Sequence, residues 1–166
     1  MTADLHLRIP TVADGPALWR MAADSTVLDV NSPYAYLLWC RDFAATSVIA
    51  EAAGEPAGFV TGYRRTEQPA TLMVWQVAVD VAHRGVGLAS LMLDHLATAL
   101  RPDGVTHVET SITPDNEASQ RLFSAFARRW EALLERSELF GAGLFADTHL
   151  AEELFRIGPL RMKPTR

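Results

Sequence analysis

The sequence predicts an α/β fold, and three features of the chain indicate this class. Segments with the alternation typical of strands and segments with the apolar spacing typical of helices follow each other in the order β-α-α-β-β-β-α-β-α-β-β. A long strand-like run at residues 71–80 leads through a glycine-containing turn into an apolar helix. The length of 166 residues suits one hydrophobic core. We therefore predict a single domain over residues 1–160 and a short basic tail over residues 161–166.

The N-terminal part of the chain is predicted to form one strand and two helices. Apolar residues alternate with polar ones at Leu5, Leu7 and Ile9. Thr11, with Asp14 three residues later, is typical of a helix N-terminus, and this helix is expected to end near Asp24. Its buried face is expected to carry Leu18, Met21 and Ala22. A polar segment follows, and the aromatic-rich residues 34–43 predict the second helix.

The central part is predicted to form a hairpin, the long strand at residues 71–80 and a third helix. Residues 47–51 and 59–63 read as the two hairpin strands, with the turn at Ala53-Gly54-Glu55. Pro102-Asp103-Gly104 is expected to end the third helix. The predicted buried face of that helix consists of Leu88, Leu91, Met92, His95, Leu96 and Ala99.

The C-terminal part is predicted to form three strands and one helix. Residues 105–113 form the first of these strands, and Pro114-Asp115-Asn116 caps the helix that follows. The inward side chains of this helix are expected to be Leu122, Phe123 and Phe126. Residues 130–135 and 154–157 predict the last two strands.

The composition restricts the classes of function. The chain has 15 basic and 20 acidic residues, a net charge of −5, and the scattered basic residues argue against a nucleic-acid partner. Its single cysteine, Cys40, forms no internal disulfide and is expected in the core of a cytoplasmic protein. We expect neither a secreted nor a membrane-spanning protein, because no leader-like segment and no long uncharged apolar run is apparent. No histidine spacing typical of a metal site occurs, and no metal is expected.

The most informative motif is Arg84-Gly85-Val86-Gly87-Leu88-Ala89, which joins the long strand to the third helix. Its glycines let the backbone approach a ligand and adopt positive φ angles, and the first N–H groups of the helix point toward any anion placed there. The spacing differs from that of a P-loop and of a dinucleotide fingerprint. Small residues at such a turn also serve packing, so the glycines alone leave both interpretations open.

Arg84, Gly87 and Ala89 match the pattern Gln/Arg-x-x-Gly-x-Gly/Ala, which resembles the acetyl-coenzyme A (acetyl-CoA) loop of the GNAT N-acetyltransferase superfamily. The resemblance implies a central mixed β-sheet that splays between its fourth and fifth strands and has helices on both faces. It also implies that the pyrophosphate lies on the loop and that the pantetheine pairs with the fourth strand. The coenzyme residues implied in this way are Val77, Ala78, Val79, Arg84, Gly85, Val86, Gly87, Leu88, Ala89, Asn116, Ser119 and Phe123.

The helix after the fifth strand departs from the family at one position. Asn116, Ser119 and Leu122 match a family pattern, Asn-x-x-Ser/Ala-x-x-Leu-Tyr, but Phe123 replaces the tyrosine that protonates the coenzyme thiolate in many members. The thiolate acid and the general base are therefore left unassigned. Asn116 is expected near the coenzyme, and a simple helix N-cap is an equally compatible role.

Longer segments are similar to the L-2,4-diaminobutyrate acetyltransferases of ectoine biosynthesis. These segments are residues 28–34, 39–43, 58–63, 74–80, 113–116 and 153–159. The resemblance implies transfer of acetyl from acetyl-CoA to the side-chain (N4) amine of L-2,4-diaminobutyrate, giving N4-acetyl-L-2,4-diaminobutyrate for the formation of a compatible solute. It also implies a homodimer.

The candidate acceptor residues follow from the charges of this substrate, which carries two ammonium groups and a carboxylate. A suitable mixture of acceptors and donors occurs on one short segment, at Asp29, Asn31, Ser32 and Tyr34. The same residues could form only a turn and a helix cap. His149 and Glu152 are candidates to close the site, although a solvated loop is the alternative.

Glu109 and Trp75 are the two candidate catalytic residues. A carboxylate in the middle of a strand is seldom buried without a partner, so we predict that Glu109 faces the cleft and binds an ammonium or relays its proton. Trp75, in the long strand, either is an ordinary core aromatic or has a role at the acceptor, where it shapes the pocket or anchors Asp29 through its indole N–H.

Two other functions remain open at this point. The first is a GNAT enzyme for another amine, such as a polyamine, an ornithine-like amino acid or a protein N-terminus. The second is a non-enzymatic coenzyme A-binding module, which the missing tyrosine makes conceivable.

Overall fold

The computed structural model describes residues 4–161. Most of its strands and helices lie where the sequence patterns predict them. The strands of this region are β1 (Leu5–Arg8), β2 (Val48–Ala52), β3 (Glu55–Arg64), β4 (Thr71–Val79), β5 (His107–Ile112), β6 (Leu133–Phe140) and β7 (Glu152–Gly158). Its α-helices are α1 (Gly15–Asp24), α2 (Pro33–Asp42), α3 (Leu88–Leu100) and α4 (Glu117–Arg129).

The chain divides into two compact units, and β4 contributes to both. The first unit contains the described residues up to Tyr63 and Trp75–Pro102, and the second contains Arg64–Val74 and the described residues from Asp103 onward. In the first unit β1 pairs antiparallel with β2, and β2 with β3. In the second unit β4 pairs parallel with β5, and β5 and β6 both pair antiparallel with β7. The strand order β1-β2-β3-β4-β5-β7-β6 is that of a mixed sheet, which confirms the predicted α/β class.

The hydrophobic core of the first unit lies between its helices and strands. Its buried members are Leu18, Met21 and Ala22 of α1, Tyr36 and Cys40 of α2, and Ile49, Phe59 and Ala78 of the strands. On the opposite face of β3, a Cβ added at Gly58 would lie 2.9 Å from Cε of Met92 in α3. Because successive residues of a strand point to opposite faces, this unit has helices on both faces of its sheet.

Cys40 belongs to this core, as predicted. Burial raises the pKa of its thiol to about 11. A thiol that stays protonated at neutral pH is a weak nucleophile, so its role is packing.

Within the second unit, β4 and β5 form a parallel ladder that pairs Thr71 with His107 and Val74 with Thr110.

The buried face of α3 differs from the predicted one. Leu91, His95 and Ala99 are exposed, Leu91 by 45%. The buried residues are Leu88, Met92, Leu93, Leu96, Ala97 and Leu100. Asp94, His95 and Thr98 mark the side of this helix that faces away from the buried residues, and the predicted face wrongly included His95 and its neighbours on that side.

The predicted start of the strand at residues 130–135 was wrong. Trp130 is buried and ends α4, because its N–H donates to the Phe126 carbonyl oxygen at 3.1 Å. Glu131 then adopts a φ of 47°, which is typical of a helix C-terminus. β6 therefore begins only at Leu133 and extends to Phe140.

Three other predictions concern the C-terminal tail, the number of domains, and the presence of membrane-spanning helices or metal sites. The N–H of Arg161 donates to the Trp130 carbonyl oxygen at 3.1 Å, and the rest of the predicted basic tail lies outside the described residues. The single domain over residues 1–160 stays a prediction. Among residues 4–161 no helix is long and apolar enough to cross a bilayer, and no three potential metal ligands cluster.

Candidate active site

The turn between β4 and α3 leaves open space beside two glycines. Gly85 and Gly87 have φ angles of 79° and 81°, which glycine adopts without strain. A Cβ added at either position would meet nothing within 4 Å. Gly87 is the N-cap of α3, whose first N–H groups have no partner inside the helix. The turn can therefore bring backbone donors close to an anion such as a pyrophosphate.

Two charged side chains hold the start of this turn. Oδ1 of Asp80 accepts the Ala82 N–H at 3.1 Å, and Arg20 donates to Oδ2 at 3.1 Å. The hydrogen bond from Ala82 and then the Arg20 guanidinium hold the pKa of the Asp80 carboxyl below its usual value. Nε of Arg84 donates to the Val79 carbonyl oxygen at 3.1 Å, so this guanidinium folds back onto the end of β4.

The end of β4 offers backbone groups to an extended ligand. The N–H of Asp80 donates to the Ala57 carbonyl oxygen, on the β3 side, at 2.8 Å. Because alternate residues of a strand direct their backbone groups to opposite edges, Val77 and Val79 direct theirs to the other edge. Pairing of the pantetheine with these groups stays a prediction.

Four of the predicted acceptor residues lie on one segment that joins α1 to the first turn of α2, which we call the acceptor segment (residues 29–34). Asp29, Ser32 and Tyr34 are exposed, Tyr34 by 67%. Oγ of Ser32 accepts the Ala35 N–H at 3.4 Å and so caps α2, and Nδ2 of Asn31 donates to the Asp29 carbonyl oxygen at 3.3 Å. Ser32 and Asn31 thus also serve as cap and turn, the alternative that the sequence left open.

Gln76 of β4 connects to the acceptor segment, and sequence reasoning missed it. This side chain is buried, its Nε2 donates to the Asp29 carbonyl oxygen at 2.9 Å, and its Oε1 accepts from the Tyr36 hydroxyl at 3.0 Å. One signal in the sequence could have identified Gln76: it is a polar residue in the middle of an apolar strand. A polar side chain buried at such a position needs hydrogen-bond partners.

Trp75 packs in an aromatic cluster of the first unit. Its ring stacks on Trp39 with centroids 4.5 Å apart and an interplanar angle of 9°, and the Tyr36 ring lies 5.8 Å away. Phe43 and Tyr63 surround Trp39. Trp75 is half-buried, so its packing role is evident, and its predicted role at the acceptor stays a prediction.

Glu109, in the second unit, is buried and bound by two arginines. Nη1 of Arg156 donates to Oε1 at 2.6 Å, and Nη1 of Arg65 lies 3.3 Å from Oε2. Gln68 accepts from Arg65 at 3.0 Å. Sequence reasoning recognised that a buried Glu109 needs a partner but identified neither arginine. Two guanidinium groups already neutralise this carboxylate, and its predicted roles in binding an ammonium or relaying a proton stay predictions.

Residues 16–127 match the sequence model of the acetyltransferase (GNAT) family. The chain belongs to the GNAT family. It is 58% identical to the L-2,4-diaminobutyric acid acetyltransferase of Streptomyces coelicolor, over 95% of both chains. Within the GNAT family it therefore belongs to the L-2,4-diaminobutyric acid acetyltransferases, and the predicted resemblance is confirmed.

Solved structures agree with this assignment. The diaminobutyrate acetyltransferase EctA from Paenibacillus lautus, in complex with L-2,4-diaminobutyric acid and coenzyme A, superposes with a TM-score of 0.90. It is 40% identical, and the match covers 95% of this chain and 96% of that one. Ard1 from Thermoplasma volcanium, 18% identical with a TM-score of 0.76, shows the shared fold. The GNAT fold, the enzyme class and acetyl-CoA as cosubstrate are thereby confirmed.

Helix α4 of this GNAT acetyltransferase and its N-cap residue together include three predicted coenzyme residues. Oδ1 of Asn116 accepts the Ser119 N–H at 3.1 Å, so Asn116 acts as the helix N-cap. Phe123 is 2% exposed and has no proton to donate to a thiolate. Phe123 therefore lacks the acid group that the tyrosine of many family members supplies. Contact of these three residues with coenzyme A stays a prediction.

His149 and Glu152 of this GNAT acetyltransferase lie close together, as their joint prediction requires. Nε2 of His149 is 3.7 Å from Oε1 of Glu152. The His149 ring also stacks on Phe145 with centroids 4.2 Å apart. Both side chains are less exposed than expected for a solvated loop, at 19% and 17%. Their role in closing the site stays a prediction.

Proposed function

We propose that this chain transfers the acetyl group of acetyl-CoA to the side-chain (N4) amine of L-2,4-diaminobutyrate, giving N4-acetyl-L-2,4-diaminobutyrate in ectoine biosynthesis. The observation that carries the proposal is the likeness to EctA of Paenibacillus lautus, which binds both this amino acid and coenzyme A, at a TM-score of 0.90 and 40% identity. The open glycine turn and the acceptor segment, both in the first unit, support it.

The proposed reaction makes simple demands on the residues. The substrate ammonium, with an ordinary pKa of about 10, must lose a proton before its nitrogen attacks the thioester carbonyl carbon. The carbon–nitrogen bond forms, the carbon–sulfur bond breaks, and the sulfur leaves as a thiolate that takes up a proton. We assign the binding of the pyrophosphate to the turn around Gly85 and Gly87, and an ion pair with a substrate ammonium to the exposed Asp29.

The position of the acetyl group in the product tests the proposed function. Purified protein is incubated with acetyl-CoA and L-2,4-diaminobutyrate, and NMR identifies the acetylated nitrogen. We expect the acetyl group on N4. We also expect kcat/KM for diaminobutyrate to be at least about tenfold higher than kcat/KM for ornithine, because one methylene group changes specificity by that order. Lysine and putrescine serve as further competitors.

Three results would contradict the proposal in different ways. Acetylation at the α-nitrogen would refute the regiochemistry. Faster turnover of putrescine or ornithine would indicate a GNAT enzyme for another amine. Tight coenzyme A binding without turnover of any amine would indicate a binding module.

We further propose that the active form is a cytoplasmic homodimer. β6 is the last strand of the sheet, and its ends carry Leu133 and Phe140, which are 71% and 47% exposed. The open edge of a strand is stabilised when a second chain pairs with it, and the family resemblance implies a second copy. The single thiol, Cys40, suits the cytoplasm. Light scattering is expected to give twice the mass of one chain, and a monomer at micromolar concentration would refute the dimer.

A further inference from the structure

We propose that Gln76 is a positioning residue that sets the acceptor segment for the amine substrate. It lies in β4, is 4% exposed, and uses both ends of its side-chain amide. Nε2 donates to the Asp29 carbonyl oxygen at 2.9 Å, and Oε1 accepts from the Tyr36 hydroxyl at 3.0 Å. The inference rests on the proposed function, because that function assigns a substrate ammonium to Asp29.

The two partners fix the orientation of the Gln76 amide. The Asp29 carbonyl oxygen can only accept a hydrogen bond, so the NH2 group must face it. The amide oxygen then faces Tyr36, whose hydroxyl donates. A flipped amide would place two oxygens against each other, and a buried unpaired polar group is costly. Glutamine is therefore suited to this position by its combination of one donor and one acceptor.

The partners of Gln76 differ in how firmly they are held. Tyr36 is fully buried and belongs to the core cluster formed by α1, α2 and the strands. Asp29 is exposed and lies outside any helix or strand. The bond from Gln76 thus ties the backbone of the acceptor segment to the core. Because the Asp29 side chain begins one bond from that carbonyl group, its direction depends on this tie.

A matched pair of variants separates the two hydrogen bonds. Gln76→Met keeps the unbranched shape but removes both bonds, whereas Tyr36→Phe removes one and leaves the bond to Asp29. We expect Gln76→Met to raise the KM for diaminobutyrate about tenfold, the effect of one hydrogen bond, and Tyr36→Phe by less than about threefold. The KM for acetyl-CoA is expected to change by less than about twofold in both.

Asp14→Asn controls for a general loss of stability. Asp14 is buried in the same unit and accepts two hydrogen bonds, each of 2.8 Å, from Arg8, which is not part of the acceptor segment. A purely structural role of Gln76 predicts the same rise in acceptor KM for Asp14→Asn when the loss of Tm is equal. That result would overturn the proposal.

Hydrogen exchange gives a readout that does not depend on the reaction. The peptide of residues 25–32 is expected to exchange about tenfold faster in Gln76→Met than in the wild type or in Tyr36→Phe. If the wild type fails to acetylate diaminobutyrate, the proposed function is wrong, while the exchange still tests the positioning role. Unchanged exchange in Gln76→Met would refute that role even for an active diaminobutyrate acetyltransferase. Gln76→Leu serves the same comparison if Gln76→Met does not fold.

Discussion

Asp29→Asn is expected to raise the KM for diaminobutyrate about ten- to a hundredfold, while the KM for acetyl-CoA changes by less than about twofold. The substitution removes the charge that we propose to bind a substrate ammonium but keeps the size of the side chain. It also leaves the Asp29 carbonyl oxygen bound to Gln76, so the acceptor segment is expected to keep its conformation. Steady-state kinetics with each substrate varied in turn measures the effect.

The neighbouring variant Asp24→Asn is the control for this experiment. Asp24 ends α1, is exposed, and pairs with Arg20 at 3.7 Å, so it carries the same charge outside the acceptor segment. We expect no change in either KM. If Asp29→Asn raises the KM for diaminobutyrate and the KM for acetyl-CoA equally, the acceptor site is misplaced. If Asp24→Asn raises the KM for diaminobutyrate as much as Asp29→Asn does, only the long-range effect of the charge matters.

Glu109→Gln is expected to lower the free energy of unfolding by about 2 to 3 kcal/mol. The Glu109 side chain is 5% exposed, and the substitution leaves the Arg65 and Arg156 guanidinium groups without their counter-charge. Those two side chains are 34% and 30% exposed, so water offsets part of the loss, and the expected cost lies below that of a fully buried pair. Urea denaturation followed by circular dichroism measures the difference.

Glu153→Gln provides the matched control in the same unit. Glu153 of β7 accepts from Arg136 at 2.6 Å, but both side chains are more exposed, at 35% and 48%. We expect its loss to cost less than about 1 kcal/mol. Equal costs for the two variants would contradict the structural importance of the Glu109 network.

The same Glu109→Gln variant tests the role that the sequence predicts for this residue at the acceptor. A rise in the KM for diaminobutyrate, measured where the variant is folded, would support contact with a substrate ammonium. An unchanged KM together with reduced stability would limit Glu109 to anchoring Arg65 and Arg156.

The features that the sequence predicted well are those that depend on neighbouring residues. The turn at residues 84–89 could be recognised because the φ angles near 80° at Gly85 and Gly87 are a local property of glycine. The cap of α4 at Asn116 and the core position of Cys40 followed in the same way from a short pattern. The family motif added the chemistry that local geometry leaves open, namely an acyl-coenzyme rather than another phosphate ligand.

The features that sequence reasoning missed connect distant parts of the chain. Glu109 is 44 residues from Arg65 and 47 from Arg156, and Gln76 is 47 residues from Asp29. The strand and helix patterns record which face of an element is apolar, but they do not record which distant side chain will lie opposite it. The buried face of α3 shows a different limit, because Asp94, His95 and Thr98 mark its polar side, yet apolar residues beside them fit the helical period without being buried.

The sequence by itself therefore determined the α/β class, the order of the elements, the glycine turn between β4 and α3, and the family, because each is encoded in local spacing and in short motifs. Only the tertiary structure decided that two arginines neutralise Glu109 and that Gln76 binds the Asp29 backbone. These depend on hydrogen bonds and ion pairs between residues that come together only when the chain folds, since such bonds are set by distance in space and not by distance along the chain.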